Sequence, residues 1–256
     1  MEFIVIIPAR FGSSRFPGKP LANIFGKSMI QRVYEQSVKA VANVWVATDD
    51  GRIVEAVLGF GGNVVMTSDL HRSGTDRCAE AVKNVSAITG KHYDVVINVQ
   101  GDEPFIYPEQ IRLAMRCFEE NANTEIATLI QPISKIEEVF NPANAKVVLD
   151  RHRNAIYFSR APIPYVAKTD ESEWLSKATF YNHVGLYGYR TDILEKLTQL
   201  PEGELEKAES LEQLRWIENG FKINTKVTDH DSMGIDTPED IEKVAAAGYR
   251  NFFDAE

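Results

Sequence analysis

The sequence predicts an α/β protein: a doubly wound, mostly parallel sheet with antiparallel additions that form a second lobe. Three observations carry this reading. Short β-branched apolar runs alternate with helical patterns through the first half, the order from which parallel sheets are wound. The first run, Phe3-Ile4-Val5-Ile6-Ile7, shows no polar alternation and reads as a strand buried on both faces. In the second half strand-like runs follow one another with few helical patterns between them, which suits antiparallel pairing.

Taken in order, strand patterns cover 2–8, 44–48, 63–66 and 94–99, and helical patterns cover 28–41, 50–59, 75–88 and 108–120. Cys78, Val82 and Val85 fall at helical spacing in the third helix. Pro108 opens the fourth at a favoured first helical position. Beyond these, 125–131, 144–150, 154–158 and 181–190 read as strands, and the proline-rich stretch from Ala161 to about Lys177 as a loop. Two helices with capping signals follow: Ser210 with Gln213 before LEQLRWIEN, and Thr237 with Asp240 before 238–247.

The chain has 256 residues and a net charge of -9, an acidic body that argues against general nucleic-acid binding. No apolar run approaches the roughly 20 residues of a membrane span, and the N-terminus has no signal-peptide pattern. Neither nucleic acid nor membrane insertion is therefore expected. Cys78 and Cys117 lie far apart in helical contexts without metal-ligand spacing, as buried free thiols of a cytoplasmic protein would.

Positive charge is concentrated where the first strand ends. The loop after Pro8 holds Gly12, Ser13 and Gly18 with Arg10, Arg15 and Lys19. Loops past the carboxyl ends of parallel strands are where open α/β sheets bind ligands, and glycine-exposed N–H groups beside fixed cations suit a polyphosphate. The loop is not a Walker A motif: five residues separate Gly12 from Gly18, and Pro20 follows Lys19 where a hydroxyl residue is required. The dinucleotide pattern G-x-G-x-x-G is absent as well, which disfavours a nicotinamide oxidoreductase.

Two aspartates could complete such a site. Asp102, in Gln100-Gly101-Asp102-Glu103-Pro104, follows the apolar strand VVINV and is placed either to hold Mg²⁺ or simply to make a turn. Asp236 precedes the capped last helix and reads alone as a helix-dipole partner. Together with the cationic loop, the two carboxylates are better explained as holding Mg²⁺ against a triphosphate. Arg72 and Ser73 precede a helix and suit a cap, a base or ribose contact, or both. Arg160 and His183 are weaker signals, a lone strand histidine being more often a core residue. No HExxH pattern and no G-x-S-x-G elbow is present.

The segments IPARFGSSRFPGKPL, VWVATDD, MTSDLHRSGTDR, INVQGDEPFI, KVVLD, YFSRAPIP, HVGLYGY, LEQLRW and GIDTPED span essentially the whole chain. In this order they resemble the CMP-Kdo synthetase family, the 3-deoxy-manno-octulosonate cytidylyltransferases. The resemblance implies a Rossmann-like fold of the nucleotidyltransferase type and transfer of CMP from CTP to the anomeric hydroxyl of Kdo with Mg²⁺. It implies Arg10, Arg15 and Lys19 on the triphosphate, with Gly12 and Ser13 in the same loop, and Ala9, Arg72, Ser73 and Gln100 around cytosine and ribose. Asp102 and Asp236 then bind Mg²⁺ and share the catalytic role with Arg15 and Lys19. Arg160, His183, Tyr187, Glu212 and Gln213 line the sugar pocket. One domain over 1–256 follows, with a nucleotide-binding half over about 1–131, a sugar-binding and dimerisation lobe over about 132–230, and a C-terminal metal-site segment over 231–256. The implied assembly is a homodimer in a Gram-negative cytoplasm, serving lipopolysaccharide synthesis. The rivals are a CMP-sialic acid synthetase, an enzyme for amino-Kdo and a non-catalytic nucleotide-binding module; paired metal carboxylates disfavour the last.

Overall fold

The computed structural model describes residues 1–12, 15–231 and 233–253. The chain divides into two compact units, Met1–Arg112 with Asp231–Glu256, and Leu113–His230. The division falls inside the helix Pro108–Glu120.

In the first unit, strand Phe3–Ala9 runs parallel to Val44–Thr48 on one side and to Val95–Asn98 on the other. Val64–Met66 extends the sheet beyond Val44–Thr48, again in parallel. Ile4, Val5, Ile6 and Ile7 are all fully buried, which explains why this strand carries no polar alternation. Parallel neighbours need crossovers, and helices Met29–Val38, Gly51–Gly59 and Gly74–Thr89 supply them. Each starts at a side-chain cap: Ser28, Asp50 and Ser73 accept the N–H of Gln31, Arg52 and Asp76, each worth about 1 kcal/mol. A small separate hairpin pairs Asn23–Ile24 with Lys27–Ser28. Because the strands share a direction, the loops after Ala9 and Asn98 emerge at the same edge.

The second unit is mostly antiparallel, as expected. Tyr181–Arg190 pairs antiparallel with Ile126–Pro132 and with Lys146–Leu149, which in turn pairs antiparallel with Ala155–Ser159. Strand Ile223–Val227, parallel to Ile126–Pro132, has no counterpart in the sequence reading. It is half polar, and only Ile223 and Thr225 turn inward. Gln213–Glu218 falls within the expected LEQLRWIEN helix, and four further helices were not expected: Ile136–Phe140, Trp174–Lys177, Thr191–Leu197 and Glu204–Glu209. None completes enough turns to show a helical period.

One capping signal is misplaced. Ser210 does not start a helix; it ends Glu204–Glu209 in the left-handed conformation, φ 53°, and Gln213–Glu218 begins without a side-chain cap. The two short helices double back on each other, and Arg215 clasps Glu206 through Nε at 2.6 Å and Nη2 at 2.5 Å. The other signal is half realised. Asp240 accepts the Thr237 N–H at 2.9 Å before helix Pro238–Ala246. No helix of the described residues is long and apolar enough to cross a membrane.

Candidate active site

Backbone geometry at Gly18 turns the chain at the end of the loop after Ala9. Gly18 sits at φ 71°, a conformation side chains resist, and its N–H donates to the Phe11 carbonyl at 3.0 Å. Lys19 then enters a single 3-10 turn, Lys19–Leu21, with Pro20 buried beneath it. The neighbouring loop after Asn98 crosses close to the first strand. A Cβ at Gly101 would lie 2.7 Å from the Pro8 carbonyl oxygen, so glycine permits the approach that places Asp102 beside Lys19. The last segment is attached by backbone: the Ile235 N–H donates to the Asp102 carbonyl at 2.9 Å.

These constraints bring four charged side chains together across more than 200 positions of sequence. Lys19 Nζ lies 2.6 Å from Asp102 Oδ2 and 3.3 Å from Asp236 Oδ1. Arg15 grips the same Asp236 carboxylate with both terminal nitrogens at 3.1 Å. A cavity of about 250 Å³ opens above this group. Ala9, Arg10, Arg15, Lys19, Arg72, Ser73, Gln100, Asp102 and Asp236 all line it. Gly12 is exposed in the loop and is not among the lining residues, while Ser13 lies outside the described residues.

Ser73 is a helix cap at the cavity wall, and its hydroxyl accepts the Asp76 N–H at 3.1 Å. Two titratable lining residues escaped the sequence reading, His71 and Arg77. Arg77 is buried, donating to Asp49 Oδ2 at 2.7 Å and Thr67 Oγ1 at 2.6 Å. His71 Nε2 pairs with Glu80. Their signal was the string H-R-S-G-T-D-R, which carries both around Arg72 and Ser73.

Mg²⁺ can be tested against this donor set. Among the described residues no group of three or more His, Cys, Asp and Glu could hold a metal. Two carboxylates suffice for Mg²⁺, which prefers oxygen ligands and completes its shell with water and phosphate. The Lys19 ammonium already occupies the convergence point of Asp102 and Asp236, so the pair visibly holds a cation there. The residues fit the ion.

The second unit contains the other candidates. His183 and Tyr187 stand on strand Tyr181–Arg190. The His183 ring packs edge-on against Phe158 at 5.1 Å, and its Nε2 lies 3.1 Å from Thr128 Oγ1. Burial lowers its pKa to about 4, so the imidazole is neutral at physiological pH. Tyr187 stacks on Tyr189 at 5.8 Å and meets Trp216 edge-on at 5.1 Å. Burial, with Tyr189 and Glu212 adding to it, pushes the phenol pKa well above its ordinary value. The Tyr187 hydroxyl and Gln213 Nε2 are buried without a hydrogen-bond partner among the described residues. Such orphans mark places where a polar ligand or water belongs. Arg160 is committed to backbone: Nε donates to the Glu209 carbonyl at 2.8 Å, Nη1 to Pro142 at 3.0 Å and Nη2 to Ser210 at 3.4 Å.

Comparison with known proteins supplies independent findings. The family model described as cytidylyltransferase matches residues 4–223. The 3-deoxy-manno-octulosonate cytidylyltransferase of Parabacteroides distasonis is 56% identical over 96% of this chain and 98% of its own. That of Bacteroides thetaiotaomicron is 51% identical over 94% and 96%. Among solved structures, CMP:2-keto-3-deoxy-manno-octonic acid synthetase complexed with CTP superposes with a TM-score of 0.87 at 42% identity, covering 98% of this chain and 100% of that one.

Proposed function

This chain belongs to the 3-deoxy-manno-octulosonate cytidylyltransferases, within the cytidylyltransferase family, and from that premise we infer how its residues carry the reaction. The enzyme transfers CMP from CTP to Kdo. The sugar's anomeric hydroxyl attacks the α-phosphorus and pyrophosphate leaves. Little covalent work falls to side chains in such a transfer; positioning and charge neutralisation carry it.

The observation that supports the assignment of roles is the convergence of Lys19, Arg15, Asp102 and Asp236 in one cavity. Lys19 and Arg15 exchange their carboxylate partners for phosphate oxygens when CTP binds, joined by Arg10. That exchange leaves Asp102 and Asp236 facing each other with their cation withdrawn, which disposes the pair to take up Mg²⁺. When bound, the ion supplies positive charge at the α-phosphoryl oxygens. Ala9, Arg72, Ser73 and Gln100 face the nucleoside from the strand end and loops at the sheet edge. His71 and Arg77 join this wall.

In the second unit, the orphaned Tyr187 hydroxyl and Gln213 amide, with His183 and Glu212, receive the hydroxyls of Kdo, and Arg160 its carboxylate. His183, neutral at working pH, accepts or donates a hydrogen bond to the sugar. No side-chain base is assigned. Free buried cysteines and the lack of any membrane-crossing helix among the described residues support a cytoplasmic place in lipopolysaccharide synthesis. A homodimer is the assembly the family resemblance implies, and light scattering tests it. Pyrophosphate release tests the whole reading: CTP is offered with Kdo, amino-Kdo and sialic acid, with and without Mg²⁺. Release with Kdo that depends on Mg²⁺ is expected. Equal turnover of sialic acid, or indifference to Mg²⁺, refutes the corresponding assignment.

A further inference from the structure

The charged groups of the phosphate and metal site come from three separate chain segments, yet one apolar cluster lies beneath all three. Phe16 sits between Arg15 and Lys19, Phe105 lies three residues after Asp102, and Ile235 directly precedes Asp236. Phe105 and Ile235 are fully buried in one cluster, and Phe16 packs against it. Its cover is a short C-terminal turn, Tyr249–Phe253. The rings of that turn meet Phe105: Tyr249 at 4.8 Å and Phe252 at 5.6 Å, both edge-on, and Phe253 at 5.4 Å. The Asp236 side chain is 52% exposed and is held, among the described residues, only by Arg15 and Lys19, the cations that the proposed function moves onto phosphate. Its backbone is held by its own N–H on Asp240 Oδ2 at 3.0 Å, which ties it to the last helix, and by the Ile235 N–H on the Asp102 carbonyl with the buried Ile235 side chain, which tie it to the Asp102 loop.

We propose that the C-terminal aromatic turn is a positioning element of the metal site, acting through Phe105 and Ile235 to hold Asp236 in register with Asp102. The turn touches no reacting atom. It clamps Phe105, which carries the Asp102 loop, and closes the cluster into which Ile235 is inserted. Loosening it lets the two carboxylates drift apart while the parallel sheet keeps its own core. Changes behind metal ligands commonly weaken metal binding about 10–100-fold, and that is the range expected here.

The inference rests on the reading of Asp102 and Asp236 as metal ligands, and the experiment separates the two. Mn²⁺ binding to the full chain in the presence of CTP is titrated by electron paramagnetic resonance for wild type, Phe252→Ala, Phe252→Leu and Asp236→Asn. Thermal unfolding and the KM for Kdo are measured alongside. Expected are a roughly tenfold or larger loss of Mn²⁺ affinity in Phe252→Ala, partial recovery in Phe252→Leu, and an unchanged KM for Kdo. Tyr249→Leu, which keeps apolar bulk but removes an edge-on ring, repeats the test should alanine unfold the chain. Lowered melting temperature with wild-type Mn²⁺ affinity, while Asp236→Asn loses it, overturns the inference alone. Wild-type affinity in Asp236→Asn overturns the metal reading and the inference with it.

Discussion

Lys19 has two jobs, one seen in the structure and one proposed. Without nucleotide it neutralises Asp102 and Asp236, and with CTP it is placed to neutralise phosphate. Lys19→Ala removes a preorganised charge from the transition state, a loss on the order of 3–4 kcal/mol, or two to three powers of ten in kcat. The chain should still fold, since the ammonium bridges loops at the cavity and not the core. Turnover beside a melting curve decides it, and normal turnover refutes the role. His183 makes a prediction of the opposite kind, on stability. Its folded pKa is depressed to about 4, so between that value and about 6.5 the unfolded chain takes up a proton that the native imidazole refuses. Stability from this residue is therefore complete above about pH 6.5 and declines as pH falls toward 4, by on the order of 1–2 kcal/mol at pH 5. His183→Gln should shrink the difference between urea unfolding at pH 5 and at pH 7; an undiminished difference would place the titration elsewhere.

At the scale of elements, legibility followed length and locality. The strand-helix alternation of the first unit was readable because a buried parallel strand is a continuous apolar run and its crossover helices span several turns. The strand Tyr181–Arg190 was found for its length. Strand Ile223–Val227 and four short helices of the second unit were missed, because four to seven residues do not display a period against the pairing and burial that stabilise them. The Ser210–Gln213 pattern misled because the same residue types serve a left-handed chain reversal. In the candidate site, the cationic loop and Asp102 were legible from their positions at strand ends, and Asp236 from its place before the capped last helix. Arg77 and His71 were not, since a buried arginine paired with Asp49 depends on a contact 28 residues away. Gly101 shows how an element sets a site without charge. Alanine there would press its methyl to 2.7 Å from the Pro8 carbonyl, so the loop must move and carry Asp102 with it. Displacement of about 1 Å in a catalytic group can cost on the order of 100-fold, and Gly101→Ala should approach that loss in kcat. Gly51→Ala, where the added methyl meets nothing within 4 Å, is the matched control and should behave as wild type in turnover and melting.

Over the whole molecule, the residues proposed for the two substrates divide between the two units: those for the triphosphate all lie in the first, and those for the sugar all lie in the second. This division predicts separable kinetics. Arg160 is the sharpest case, because three of its five N–H groups are committed to the carbonyls of Glu209, Pro142 and Ser210. The fork is thus fixed in place before any ligand arrives, and the remaining N–H on each terminal nitrogen is available to a carboxylate. Its main chain is fixed as well: the Arg160 N–H donates to Glu209 Oε2 at 2.9 Å, and its carbonyl accepts from the buried Lys146 ammonium at 2.6 Å. Lysine could not reproduce this. One ammonium cannot span three carbonyls and still present two parallel donors to the acid group of the sugar. Arg160→Lys should therefore raise the KM for Kdo by well over tenfold, about 1.4 kcal/mol or more, and leave the KM for CTP nearly unchanged. Varying each substrate in turn at saturation of the other reads the two constants separately. Equal loss for both would mean that Arg160 serves the fold or the nucleotide, and no loss would confine it to holding the 141–144 and 209–210 turns.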